Sequence, residues 1–257
     1  MIRFSKYIWL YALISLLVLV PGMYALARYG LRPAVDFTGG TLIEVRAPTG
    51  VSSFIRLKPG EVEAAHIDGE IVRSETVGPV LGKELLHKAI AAALFAIGAI
   101  LLYVAYAFRN IKFGVSAIIA LMHDLFVVVG VFAILGHWLG VEVDTLFVTA
   151  FLTTMSFSVH DTIVVFDRIR EMEKRGERLS FEERADRALT ETMGRSLANS
   201  FTILFMLLAL VLMGGENTKW FVTALLVGTI SGTYSSPFVA TPVLILWDRW
   251  ENRGKAR

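Results

Sequence analysis

The sequence predicts an α-helical membrane protein with six transmembrane helices in a half-bundle, and a small extracytoplasmic α+β domain between helices 1 and 2. Hydrophobic residues make up 55% of the chain and the mean hydropathy is +0.60, above the values of soluble domains. Several apolar runs reach about 18 residues or more, the length that a helix needs to cross a bilayer. One intervening segment is polar and shows strand-like alternation.

Composition also limits the class of function. The net charge of +2 comes without a basic patch interleaved with aromatic residues, so no nucleic-acid partner is expected. The absence of cysteine excludes disulfides, thiol catalysis and cysteine-ligated metals. The sequence also lacks a glycine-rich phosphate loop, an HExxH motif and a serine–histidine–acid set outside the membrane. We therefore expect no enzyme activity, no cofactor and no metal site.

The first span is predicted over residues 7–27, within a first segment of residues 1–28. Ala25-Leu26-Ala27 resembles a signal-peptidase site, but an apolar stretch of about 20 residues is long for a signal peptide, so we expect a retained helix. The small outer domain is assigned to residues 29–84, which contain charged residues, Gly/Pro punctuation and alternating segments such as 41–45.

Five further spans follow within residues 85–250, at about 86–107, 115–136, 145–167, 194–213 and 221–247. The charged segment 168–193 contains the capping box Ser180-x-x-Glu183 and an apolar helical face, which predicts an amphipathic helix along the membrane surface. Residues 251–257 form a basic tail. Lys and Arg concentrate before the first span, after the second, in segment 168–193 and in the tail, whereas the short outer loops hold only Lys219. This bias predicts that both termini are cytoplasmic.

Ionisable side chains within the predicted spans are candidate functional residues, because each costs about 2.5–3.5 kcal/mol at the bilayer centre. Asp124 follows His123 in the third span, and Asp161 follows His160 in the fourth. Arg195 lies near the inner end of the fifth span. A carboxylate in a low dielectric can gain and lose a proton as a charged partner moves. The five side chains are therefore candidates for a proton pathway.

Helical spacing gives these charges polar neighbours. Thr154, Ser158 and Asp161 share one face of the fourth span, and Arg195, Asn199 and Thr202 share one face of the fifth. We expect the two polar stripes to face each other, with Asp161 and Arg195 at similar depth. In the sixth span, Gly228, Gly232 and Ser236 form a small-residue face suited to close helix packing.

The residues leave structural alternatives open for each of these side chains. Asp161 and Arg195 could form a static ion pair that fixes helix register, and Arg195 could extend to the lipid headgroups. Asp124 could be satisfied by neighbouring hydroxyl groups or by His123, without a role in transport. Both histidines could be hydrogen-bonded core residues.

Four segments of the sequence match the motifs of a known family. Asp36-Phe37-Thr38-Gly39-Gly40 resembles a D-F-x-G-G signature, and residues 77–85 resemble a stretch that leads into a second span. Residues 120–124 are similar to a third-span motif, and residues 158–171 resemble S-V-N-D-T-I-V-V-x-D-R-I-R-E. Together these motifs resemble those of the SecF family of protein-export membrane subunits, within the RND superfamily. Gly39 and Gly40 are expected to permit a tight turn with positive φ.

The resemblance implies a function. SecF pairs with SecD in a twelve-span unit of the prokaryotic inner membrane, which associates with the SecYEG channel, with YidC as a further partner. The unit uses the proton-motive force to move unfolded polypeptide, and Asp161 and Arg195 match positions implicated in proton movement. This sequence departs from the family in having His160 for Asn, Ser156 for Gly, and only about 36 residues between Gly40 and Val77, which implies a reduced outer domain. Half of an RND-type exporter of small molecules or lipids, and a translocon assembly scaffold, are the competing hypotheses.

Overall fold

The computed structural model describes residues 3–46, 52–57, 70–108, 110–176 and 179–255. Long helices dominate this part of the chain, and a small sheet lies between the first two of them. The helices are α1 (Ile8–Tyr29, after a 3₁₀ turn Phe4–Tyr7), α2 (Val35–Thr38), α3 (Pro79–Phe108), α4 (Ile111–Leu139), α5 (Thr145–Lys174), α6 (Phe181–Met213), α7 (Glu216–Ser235) and α8 (Thr241–Lys255).

Five helices in the described ranges are long and apolar enough to cross a membrane, and they correspond to the first five predicted spans: Phe4–Tyr29, Pro79–Phe108, Ile111–Leu139, Thr145–Lys174 and Phe181–Met213. The sixth predicted span, 221–247, falls across α7, a π-helical segment Ser236–Ala240 and α8. The helical path is continuous there, but Pro237 lies in the π segment and α7 begins with polar residues. The sixth span therefore stays a prediction.

The charged segment 168–193 differs from its prediction. It is not a separate surface helix, because α5 continues to Lys174 and α6 runs unbroken from Phe181 into the fifth predicted span. The capping box of Ser180 and Glu183 is confirmed and begins α6. The apolar face predicted for lipid packs against the protein core instead, with Phe181, Ala185, Ala188 and Leu189 all buried.

Three antiparallel strands form the sheet: β1 (Gly40–Arg46), β2 (Ser52–Leu57) and β3 (Glu70–Val77), in the order β2-β1-β3. The central strand β1 buries Ile43 and Val45, as its apolar–polar alternation requires. The short helix α2 precedes β1 directly, so only ten residues separate the C-terminal end of α1 from the sheet. The remaining residues of the predicted outer domain, 47–51 and 58–69, lie outside the described residues.

Close packing between α5 and α7 determines the middle of the bundle. A Cβ atom added at Gly228 would lie 2.1 Å from Cγ2 of Thr154, and one at Gly232 would lie 3.2 Å from Cα of Ser158. The absence of a side chain at these two positions therefore lets α7 approach α5 closely. The small-residue face predicted for the sixth span therefore packs against α5.

Candidate functional site

A cleft of about 460 Å³ lies between α5, α6 and α7. Its lining combines the side chains of Asp161, His160 and Asn199 with several hydroxyl groups and with Phe157 and Ile203. Asp161 is half-buried near the middle of α5, whereas His160 is exposed on the open side of the cleft. The cleft therefore presents an ionisable carboxylate within a helix that is apolar enough to cross a membrane.

The Asp161 carboxylate is held by α6, but not by the predicted partner. Ser196 Oγ donates a hydrogen bond of 2.8 Å to Asp161 Oδ2. Arg195, one residue earlier, is exposed and makes no ion pair with any described residue. The expected Asp161–Arg195 pair is thus not formed in this conformation, because α6 turns Ser196 rather than Arg195 toward α5.

The predicted contact between the two polar stripes is wrong for most of their length. Thr154 and Ser158 are buried against the glycine face of α7, whereas Asn199 and Thr202 of α6 are exposed. The physical reason is that small residues let α7 approach α5 closely, so α7 covers the stripe that α6 was expected to cover. Asn199 still lines the cleft with Asp161.

A second polar cluster surrounds Asp124, which is buried in the middle of α4. Ser231 Oγ donates to its Oδ1 at 2.5 Å, and Ser235 Oγ donates to its Oδ2 at 2.6 Å. Both serines belong to α7, and Ser235 directly precedes the π segment. Asp124 does not line the cleft of Asp161, so the structure keeps the two predicted aspartates in separate environments.

His123 is buried beside this cluster. Its Nδ1 lies 3.1 Å from Asp124 Oδ1, while its Nε2 has no hydrogen-bond partner among the described residues. The ring centroid lies 6.1 Å from that of Tyr234, whose hydroxyl donates to the carbonyl oxygen of Tyr11. His123 therefore extends the Asp124 cluster on α4 toward Tyr234 of α7, and it is buried, unlike the exposed His160.

The D-F-x-G-G segment forms the turn between α1 and the sheet. Gly39 and Gly40 have φ values of 73° and 131°, which confirms the positive-φ turn expected of them. Phe37 is buried, and a Cβ atom on Gly40 would lie 2.6 Å from the carbonyl oxygen of Leu57. The carboxylate of Asp36 accepts hydrogen bonds from the backbone N–H and the hydroxyl of Thr145, at the start of α5.

The serines that hold the two aspartates were not among the residues predicted from the sequence. Ser196, Ser231 and Ser235 are the donors, and Ser231 and Ser235 share one face of α7 at i, i+4 spacing. Their spacing within an apolar stretch was a signal that could have identified them. Among the described residues, no group of three or more His, Cys, Asp or Glu side chains is arranged to hold a metal ion.

Comparison with protein families gives two matches within the chain. Residues 60–250 match the family described as "Protein export membrane protein SecD/SecF, C-terminal". Residues 24–47 match the "SecD/SecF GG Motif", which contains the turn described above.

Individual relatives agree with the family matches. The protein translocase subunit SecF of Thermobaculum terrenum is 40% identical, over 93% of this chain and 92% of the relative. The subunit SecF of Anaerolinea thermophila is 35% identical, over 95% of this chain and 94% of that relative. The subunit SecDF of Thermus thermophilus is 36% identical over 89% of this chain, but the match spans only 36% of that longer relative.

The fold is similar to that of solved structures. The crystal structure of SecDF from Thermus thermophilus, a translocon-associated membrane protein, superposes with a TM-score of 0.87 at 31% identity. The match covers 96% of this chain and 39% of that one. A second SecDF structure, in a form called super-membrane-facing, gives a TM-score of 0.79 at 30% identity. The match covers 99% of this chain and 40% of that one.

Proposed function

Because the chain belongs to the SecF family of protein-export membrane subunits, we propose that it works with a SecD partner to promote polypeptide translocation through the SecYEG channel, driven by the proton-motive force. The SecDF relative supports SecD as the partner, because it is a single longer chain of which this chain matches only 36%. YidC is a further proposed partner of the same assembly, and unfolded polypeptide is its substrate.

The observation that carries the proposal is the position of Asp161. Its carboxylate lies half-buried in an open cleft, with one hydroxyl donor and no ion pair to a cation among the described residues. A permanent structural charge in a membrane is normally paired, because an isolated one is costly. A carboxylate with a neutral donor can instead take up a proton without leaving a lone buried cation behind.

We propose that the proton cycle exchanges the partner of Asp161 on α6. Ser196 holds the carboxylate in the observed conformation, and Arg195 is the adjacent residue, 1.5 Å along the helix axis and about 100° around it. A rotation of α6 about its axis would bring the guanidinium, at the end of its long side chain, toward the carboxylate. The arginine stays charged throughout, so it favours the ionised form of Asp161 only when the two are paired.

The energy available is sufficient for such a change. One proton crossing 100 mV releases about 2.3 kcal/mol. Since about 1.4 kcal/mol changes an equilibrium tenfold, each proton could shift a two-state equilibrium by a few tens-fold. His160, on the open side of the cleft, is proposed to tune proton access to Asp161.

We further propose that the chain forms a six-span RND-type half-bundle in the prokaryotic inner membrane, with both termini cytoplasmic and the sheet outside. The Lys/Arg bias and the polar sheet between α1 and α3 support this orientation. The chain has no cysteine, so single cysteines can report it. A cysteine replacing Ser74 of β3 should react with an impermeant thiol reagent from outside, and one replacing Lys174 should not. The opposite labelling pattern would refute the orientation.

Export assays test the function directly. Membrane vesicles containing SecYEG, SecD and this chain are given an unfolded export substrate, with and without a proton gradient. We expect Asp161→Asn to abolish the stimulation by the gradient at normal protein level. Glu173→Gln, which neutralises an exposed carboxylate on the same helix, should retain it. Full stimulation in Asp161→Asn would refute the proton role of this residue.

The alternative of a translocon assembly scaffold is favoured by one observation: both carboxylate oxygens of the buried Asp124 accept serine hydroxyl groups, as in a structural site. That reading predicts that substitutions at either aspartate change protein level or complex assembly and leave gradient stimulation intact. An exporter of small molecules or lipids would instead retain transport of such a solute in the absence of SecYEG.

A further inference from the structure

The sheet is attached to the helices at more places than the chain connections require. The chain itself joins the sheet to α1 and to α3. The structure adds contacts with the link between α4 and α5, formed by residues 140–144, and with the first residue of α5. Because α5 carries Asp161, these contacts provide a direct route between the candidate proton site and the sheet.

The first of these contacts is made by backbone groups. The N–H of Ala34 donates to the carbonyl oxygen of Val143 at 2.8 Å, and the N–H of Val143 donates to the carbonyl oxygen of Arg32, also at 2.8 Å. Pro33 and Val143 form a parallel β-bridge between these two bonds. The segment that leads from α1 into the sheet is thereby paired with the residues that lead into α5.

Asp36 makes the second contact. Its Oδ2 accepts hydrogen bonds from the N–H of Thr145 at 3.2 Å and from the Thr145 hydroxyl at 2.9 Å. A carboxylate is favourable there, because the N-terminus of a helix carries free N–H groups and partial positive charge. Yet the N-cap of α5 is already Asp144, whose carboxylate accepts from the N–H of Phe147 at 2.7 Å. Asp36 is therefore a second carboxylate at this helix terminus, supplied by the segment that begins the sheet.

Arg56 makes the third contact, from strand β2. Its guanidinium forms an ion pair of 2.5 Å with Glu142 and donates to the hydroxyl of Thr38 at 2.6 Å. It also donates to the carbonyl oxygen of Pro33 at 3.3 Å. One side chain thus ties the sheet, the turn before it and the α4–α5 link together.

The helix between the two sites is uninterrupted. Thr145 and Asp161 lie in the same α-helix, 16 residues or about 24 Å apart at 1.5 Å per residue. A tilt or slide of α5 at Asp161 must therefore reach Thr145. We propose that Asp36 and Arg56 are positioning residues of a joint that transmits movement of α5 to the sheet. This inference rests on the proposed function, because it assumes that Asp161 drives the movement.

Distance measurements on the complex with SecD in lipid nanodiscs test the joint. Spin labels are placed on cysteines that replace the exposed residues Ser74 of β3 and Trp138 of α4. Asp161→Asn mimics the protonated carboxylate. With the joint intact, we expect this substitution to shift the mean distance between the labels. With Asp36→Ala and Arg56→Ala combined, the shift should be smaller, because only the backbone pairing of residues 32–34 with Val143 remains.

The design separates the two proposals. If Asp161→Asn causes no shift in the intact joint, the premise that Asp161 drives the sheet is refuted, and the joint proposal falls with it. If the shift is equally large in Asp36→Ala/Arg56→Ala, the joint is refuted and the proton role of Asp161 stands. Asp36→Asn retains an oxygen acceptor for Thr145, so it should keep the shift. A shift lost equally in Asp36→Asn and Asp36→Ala would contradict the role of the Thr145 hydrogen bonds.

Discussion

Asp161 and Ser196 are joined by a hydrogen bond of 2.8 Å that links the middle of α5 to α6. This bond occupies the position expected of an ion pair with Arg195. A hydrogen bond contributes about 0.5–1.5 kcal/mol, so its loss changes the equilibrium between conformations about two- to tenfold.

Ser196→Ala should therefore reduce gradient-stimulated export several-fold, because the carboxylate loses its donor in the observed conformation. Ser196→Thr retains the hydroxyl and should keep most of the stimulation. The measurement is the ratio of export rates with and without a proton gradient, at equal protein levels. Equal ratios in Ser196→Ala and in the unmodified chain would show that this hydrogen bond is not part of the cycle.

The predicted pairing of Asp161 with Arg195 was wrong for a geometric reason. Helical spacing identifies which residues share a face, as it did for Thr154, Ser158 and Asp161. It does not give the rotation of one helix relative to its neighbour, and successive residues lie about 100° apart. A difference of one such step in the rotation of α6 is enough to place Ser196, instead of Arg195, against Asp161. For the same reason, Thr154 and Ser158 were predicted to face α6, whereas they pack against α7.

Local signals performed better, because they depend on backbone chemistry within a few residues. The capping box of Ser180 and Glu183 and the positive φ of Gly39 and Gly40 were predicted and are present. The π-helical segment Ser236–Ala240 could not be derived, although Pro237 indicated a bend. The contacts of Asp36 and Arg56 with residues 142–145 depend on tertiary packing, which spacing along the chain does not reveal.

The Asp124 cluster predicts a stability effect. Ser231→Ala and Ser235→Ala each remove one hydroxyl donor from a buried carboxylate, so each should lower the free energy of unfolding by about 1.5–3 kcal/mol. Thermal unfolding in detergent measures this, with the exposed Ser74→Ala as the control. Asp124→Asn should retain gradient-stimulated export, because Asp124 lies outside the cleft. Loss of that stimulation at normal stability would instead place Asp124 on the proton pathway.

The contact between α5 and α7 predicts a graded series of glycine substitutions. Gly228→Ala should destabilise most, by about 1–3 kcal/mol, because its Cβ would lie 2.1 Å from Thr154 Cγ2. Gly232→Ala should have a smaller effect, since its nearest contact would be 3.2 Å. Gly98→Ala in α3 meets no atom within 4 Å and serves as the control. Equal melting temperatures for Gly228→Ala and Gly98→Ala would contradict the observed packing.

The position of Asp144, at the N-terminus of α5, predicts that the stability of the protein depends on pH. Burial raises the pKa of the Asp144 carboxyl group, and the nearby charge of Asp36 raises it further, against the lowering effect of the hydrogen bond from the Phe147 N–H. The folded protein therefore binds this proton more tightly than the unfolded chain. The resulting stabilisation is fully present when the pH is below the pKa of Asp144 in the unfolded chain, about 3.9. It is lost as the pH rises through the higher pKa of Asp144 in the folded protein.

Asp144→Asn should remove this contribution while keeping the cap, because Asn is an equally good N-cap residue. We expect its melting temperature, relative to the unmodified chain, to increase as the pH is raised from about 4 to neutrality. Glu173→Gln is the control for loss of an exposed carboxylate. A relative melting temperature that falls over this range would show that ionised Asp144 stabilises the helix more than burial disfavours it.

The most direct test of the account compares Asp161→Asn, Arg195→Gln and the double variant, in vesicles containing SecD and SecYEG. If Asp161 carries protons, all three should lose gradient-stimulated export at normal protein levels, because the double variant has no carboxylate to protonate. A structural pair behaves differently, since neutralising both partners avoids a lone buried charge. Normal gradient-stimulated export by Asp161→Asn/Arg195→Gln would therefore contradict the proton role of Asp161.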